Sequence, residues 1–150
     1  MPFITERPNL GDLLKYEAPN LYSREAVTIA AGQNLLLGTV LGRNAGDGKL
    51  HALDPAATDG TEIAIGVLAT ETDATLIDRE DAILIARHAI VARHALNWPS
   101  GISVPQQTEA EGQLAPGHGG LHLAQGLDAG EEHAASQECQ RGHGQGHGAR

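Results

Sequence analysis

The sequence predicts a mainly β fold (small α+β): a compact, curved β domain with a flexible N-terminal arm and a low-complexity C-terminal tail. Three observations carry this expectation. The β-branched residues are concentrated between about residues 25 and 104. Apolar residues in that zone recur at period two in short runs, the spacing of half-buried strands. Glycines and Asn/Asp-Gly turns punctuate those runs, and such residues tolerate the positive backbone angles of tight hairpins.

Taken in order, residues 1–24 hold three prolines, several charges and no sustained periodicity, and read as a flexible arm. Strands are expected in "EAVTIA" (25–30), "LGTVLGR" (37–43), "KLHAL" (49–53) and "EIAIGVLAT" (62–70). "NAGDG" (44–48) and "ATDG" (57–60) supply the turns between them. Gly32, Gly38, Gly42 and Gly66 interrupt strand patterns, where glycine marks bulges or close backbone approach. Residues 78–99 begin with acids and end with Arg and His, which suits a helix dipole. Their apolar residues, however, fall into two clusters separated by Arg87-His88, which favours two strands. Trp98-Pro99 closes the domain, with the ring over one end of the core. The domain thus spans 25–115, with room for a short helix near 103–115 that Gly112 weakens. Residues 116–150 form a Gly/His-rich tail with too little apolar surface to offset the entropy of ordering it.

A core drawn from about 80 residues buries only about 60% of its unfolded surface. The whole chain has four aromatic residues (Phe3, Tyr16, Tyr22 and Trp98), so this core is thinner than usual. Association, with copies of itself or with a larger surface, is the expected remedy.

Composition removes several function classes. The net charge is −9 and the basic residues are scattered, whereas a nucleic-acid binder needs a clustered basic footprint. No apolar run approaches the roughly 18 residues of a membrane span. The N-terminus lacks the basic and apolar regions of a signal peptide. A single cysteine, Cys139, excludes an intrachain disulfide and fits synthesis in a reducing compartment.

Reactive groups are present but do not form a recognisable constellation. His88 and His94 lie six residues apart in a repeated "ARHA". Along one strand that separation is about 20 Å, too far for a shared metal, and both are expected to be partly exposed strand histidines. Cys139, His143 and His147 in the tail lack the four-ligand spacing of a structural zinc site. Asp78, Glu80 and Asp81 are the only dense carboxylate group and read as solvated surface. No nucleophile elbow, P-loop or dinucleotide fingerprint occurs. The expectation is no enzyme activity, no catalytic residue, no cofactor and no metal.

The order of phrases is informative beyond composition. "EAPNLYSRE" precedes "VTIAAGQNLLLGTVLG", a Gly-Asp-Gly-Lys turn, "LDPAATDGTEIAIGVL" and "LNWPSGI". Across residues 9–104 this resembles the head decoration proteins of lambda-type tailed bacteriophages. The more specific pieces are Tyr22-Ser23-Arg24-Glu25, "GTVLG" (38–42), "DPAATDG" (54–60), "GVL" (66–68) and Trp98-Pro99. The resemblance implies a virion protein, assembled in the host cytoplasm and encoded by a phage or prophage. It implies a homotrimer on the expanded shell of the major capsid protein, holding that shell against internal DNA pressure. No direct nucleic-acid or membrane partner is implied. The capsid-binding residues would be Leu10, Leu13, Leu14, Tyr16, Leu21 and Tyr22 of the arm.

After "WPSGI" the chain departs from the family pattern, in which an Ala- and Leu-rich helix leads to a β-branched terminal segment. Residues 116–150 contain no Ile, Val or aromatic residue and look like an appended or frame-shifted extension. "LHL" (121–123) is very short for a replacement strand. Two other readings remain. A biotinyl/lipoyl-like carrier domain would present Lys49 beside "GDG" for modification, and a small metal-binding protein would use the histidines.

Overall fold

Successive residues of a strand point to opposite faces, and here three strands are apolar on both. In the computed structural model, which describes residues 6–115 and 120–124, Val40 and Leu41 enter two different apolar clusters, as do Val67 with Leu68 and Ile85 with Leu84. Such two-faced strands belong in the middle of a layered structure, and the architecture follows.

The strands are β1 (Leu14–Glu17), β2 (Arg24–Ile29), β3 (Gln33–Leu35), β4 (Val40–Arg43) and β5 (Leu50–Ala52). They continue with β6 (Ala64–Leu68), β7 (Thr72–Ala74), β8 (Arg79–Ile85), β9 (Ala89–Ala92) and β10 (Leu121–Ala124). Two helices accompany them, α1 (Leu10–Leu13) and α2 (Val104–Leu114). Strands β2, β5, β4, β6 and β8 close into a barrel in that order. Strand β9 carries β1 antiparallel on one side and β10 parallel on the other, and β3 pairs with β7. The fold is mainly β, as the sequence predicts.

All five barrel strands contribute to one cluster, through Val27, Ile29, Leu50, Leu41, Leu68, Ala82 and Leu84. The second cluster lies between the barrel and its outer cover. It joins Val40, Val67 and Ile85 to Leu13, Val91, Leu114 and Leu121. Trp98 is partly buried against that second cluster, which agrees with its expected place at one end of the core.

Helix α2 has a defined start and anchor. Ser103 caps it through its Oγ, which accepts from the Gln106 N–H, while the Gln106 side chain accepts from the Ser103 N–H at 3.0 Å. Pro105 sits in the first turn, where its missing N–H leaves no helical bond unmade. Gln113 Oε1 accepts the Ala64 N–H at 2.7 Å and ties the helix to β6.

Each expected strand of the middle zone is present, and the 78–99 segment does divide into β8 and β9. Other expectations need correction. His88 lies in the turn before β9 with φ of 47°, and His94 lies in a 3-10 turn, so neither is a strand histidine. The arm is not free of regular structure, because residues 10–17 form α1 and β1 on the domain. A local device explains α1: Asn9 Oδ1 accepts from the Gly11 and Asp12 N–H groups, and Asp12 Oδ2 accepts from the Asn9 N–H. The turn drives Leu13 into the core, where it is fully buried.

The tail boundary also moves. Residues 121–124 form β10 in register with β9, and Leu121 is fully buried. Composition missed this because one strand needs only one or two well-placed leucines. The rest of the expected tail, residues 125–150 with Cys139, His143 and His147, lies outside the described residues.

Close backbone approach accounts for Gly66. A Cβ built there would stand 2.7 Å from both the Ile85 carbonyl oxygen and Leu84 Cδ1. Gly112 differs, since a Cβ in that exposed position of α2 would meet nothing within 4 Å. Gly66→Ala should therefore cost about 1–3 kcal/mol through overpacking, whereas Gly112→Ala should add about 0.5–1 kcal/mol through helix entropy. Urea unfolding midpoints of the two variants check the opposite signs.

Candidate functional site

The connection from β1 to β2 turns sharply through Pro19, Asn20 and Leu21. Asn20 and Leu21 both adopt positive φ, 60° and 57°. Leucine in this left-handed region is uncommon and costs about 1–2 kcal/mol, so something must hold the turn. Ser23 is the central support. It is fully buried, its Oγ accepts the Ala18 N–H at 2.9 Å, and it donates to the His88 carbonyl at 2.9 Å. Its own carbonyl accepts the Ala86 N–H at 2.9 Å.

An ion pair closes the base of the same turn. Arg24 Nη2 and Nε lie 2.7 and 2.8 Å from the two carboxylate oxygens of Glu17. This fork-on-carboxylate geometry is the strong form of such a pair. The Arg24 hydrogen bond holds the Glu17 carboxyl below its ordinary value, and the guanidinium is pushed up in turn.

The tip so braced is apolar and open. Leu21 is 59% exposed, and Tyr22 and Tyr16 are each 56% exposed. The Arg87 guanidinium carbon stands 4.9 Å from the centre of the Tyr22 ring, a cation–π arrangement. The His88 ring lies 5.4 Å from the same ring. Arg87 also reaches Glu25 at 3.3 Å, and Glu25 reaches Arg43 at 3.6 Å. The tyrosine is therefore held from its protein side while more than half of it faces solvent.

The six arm residues expected to bind a shell divide into two groups. Tyr16, Leu21 and Tyr22 share the exposed part of the β1–β2 region. Leu10 and Leu14 are partly buried against the core, and Leu13 is part of that core. Leu13 consequently offers no surface to a partner, a correction caused by the capped turn of α1. Sequence reasoning missed Ser23, Arg87 and His88 as supports. Nothing local marks Arg87 and His88, whose partner Tyr22 is far away in the chain, and Ser23 takes its role from joining nearby Ala18 to distant His88.

Other reactive groups are engaged structurally. Asp78 accepts the Ala31 N–H at 2.8 Å and meets Lys49 Nζ at 2.6 Å. Lys49 is thus tied down, unlike the freely swinging lysine that a carrier domain modifies. Glu80 and Asp81 are exposed. Among the described residues no three His, Cys, Asp or Glu side chains cluster as metal ligands. A shallow cavity of about 410 Å³ is lined by Arg93, Leu96, Trp98, Val104 and Glu111 among others. Arg93 and Glu111 pair with each other across it. Further exposed apolar side chains lie at Leu36, Ile63, Leu76, Ile77 and Val104.

Fold and surface together define a small β-barrel protein that exposes large apolar side chains on β1 and the β1–β2 turn. The sequence matches the family model of bacteriophage lambda head decoration protein D over residues 3–118, and the chain belongs to that family. Membership gives it a phage capsid decoration role, on the virion. Comparison with curated proteins found no match. No helix among the described residues is long and apolar enough to cross a membrane.

The lowered carboxyls set the acid limb of stability. A group with a depressed folded pKa stabilises above its unfolded value and loses that contribution as pH falls through its folded value. Glu17 has an ordinary value of 4.5, and Asp59, held down by Thr61, one of 3.8. Asp73 and Asp78 are held down by Thr75 and Lys49. The melting temperature should therefore fall as pH drops from roughly 5 to 3, and the fall should be shallower in Glu17→Gln. Thermal melts across that range check both expectations.

Proposed function

We propose that the chain binds the expanded shell of the major capsid protein as a homotrimer and holds that shell against the pressure of packaged DNA. Tyr16, Leu21 and Tyr22 are the shell-contacting residues, and the half-buried Leu10 and Leu14 anchor the same arm to the core. Assembly takes place in the host cytoplasm, the gene residing in a phage or prophage genome. The role calls for no cofactor and no direct contact with nucleic acid.

One observation carries this reading. Three large side chains, two aromatic and one aliphatic, are more than half exposed on β1 and the turn that follows it, and the Ser23 hydrogen bonds brace that turn. Covering each such side chain fully contributes about 1.5–3 kcal/mol. Association and ordering costs remove much of that gain, but a rigid turn has little left to order. Repeated over many shell sites, a modest gain per copy is enough.

The trimer is supported by the core. Both buried clusters consist of aliphatic residues, with Trp98 only at the margin of one. A closed cyclic assembly adds buried area without leaving an open, filament-forming end.

Saturable co-sedimentation with expanded shells, and not with unexpanded ones, is the expected behaviour of the purified protein. The combined variant Tyr16→Ser, Leu21→Ser, Tyr22→Ser should bind expanded shells at least about tenfold more weakly, a loss of about 1.4 kcal/mol, with a nearly unchanged melting temperature. Wild-type pelleting by that variant, or equal pelleting of the native protein with both shells, would contradict the proposal.

A further inference from the structure

We propose that residues 120–124 are a strap that keeps the arm closed on the domain, and that strap and arm act as the two ends of one latch centred on His88. The family match ends at residue 118, so the strap lies just beyond it. It nevertheless begins in a fixed place, because the Gly120 N–H donates to the Ala115 carbonyl at 3.2 Å, directly after α2.

The latch is visible in the bonds of one residue. The His88 N–H donates to the Gly120 carbonyl at 2.9 Å. The His88 carbonyl accepts from the Ala18 N–H at 3.0 Å and from Ser23 Oγ at 2.9 Å. One side of the residue thus holds the strap and the other holds the arm. His88 maintains φ of 47°, a conformation unfavourable for a side chain with a Cβ, and these three bonds are what over-determine it. Release of either end leaves His88 free to relax, which loosens the other.

Packing couples the same two segments. Strand β9 lies between β1 of the arm and β10 of the strap, so losing either neighbour turns β9 into an edge strand. Leu121 and Leu123 meet the cluster that also receives Leu10, Leu13 and Leu14. Coupling between two sites is reciprocal by thermodynamic necessity, which makes the inference testable from both ends. It does not rest on shell binding.

Amide hydrogen exchange on the full chain tests it. Leu123→Pro removes a strand N–H and restricts φ within β10 while leaving Leu121 in place. Exchange at residues 14–18 should accelerate at least about tenfold (1.4 kcal/mol), with the β2–β8 pairing unchanged. Arm amides at their native rates while β10 exchanges freely would overturn the latch. Equal acceleration of every strand would also overturn it, since residues 120–124 would then be ordinary core. Should the proline variant fail to fold, Ser23→Ala decides from the other end: β10 amides should exchange faster by a similar factor, and unchanged β10 rates would refute the coupling.

Discussion

Ser23 Oγ takes the Ala18 N–H and gives its own proton to the His88 carbonyl, and the conformation of the β1–β2 turn depends on these two bonds. Ser23 is itself fully buried although the bonds are only partly so, and leaving a buried hydroxyl without its partners costs about 1–3 kcal/mol. That is enough to hold Leu21 at a positive φ and Tyr22 against Arg87 and His88. A flexible turn would fold its apolar side chains back onto the domain. A fixed one leaves them exposed, which is unfavourable in solution and useful against a partner.

The buried clusters are aliphatic throughout. The barrel and its cover are filled from both faces of β4, β6 and β8 by Val, Leu, Ile and Ala. This layered burial draws much from few residues, yet it lacks the area that buried aromatic rings supply. Ion pairs offset little of this. The Glu17–Arg24 fork is partly buried, whereas Arg7–Glu71 is largely exposed and belongs to the class worth little in water.

Much of the middle zone was legible because the physics there is local. Gly-Asp-Gly and Thr-Asp-Gly turns bound the apolar runs of β4, β5 and β6, although β4 and β6 are buried on both faces and do not show the expected alternation. The break at Arg87-His88 separated β8 from β9. Strands β3 and β7 have three residues each, too few to show a period. Strand β1 reads Leu-Lys-Tyr-Glu, which resembles a solvated linker until β9 is placed beside it. Strand β10 was obscured by the glycine and histidine around it, although Leu121 alone is enough to anchor it. Tyr16, Leu21 and Tyr22 stand out in the sequence as large apolar residues in a polar arm, and all three are exposed. Leu13 was not separable from them, since only the Asn9 cap decides which way it points.

The central claim is that the shell meets the β1–β2 turn. Hydroxyl-radical footprinting of the protein, free and bound to expanded shells, tests it most directly. The account predicts protection concentrated at Tyr16, Leu21 and Tyr22, with Leu76 and Val104 protected no more than a contact between copies requires. Unchanged labelling of the two tyrosines on the shell, with the main protection elsewhere, would contradict it.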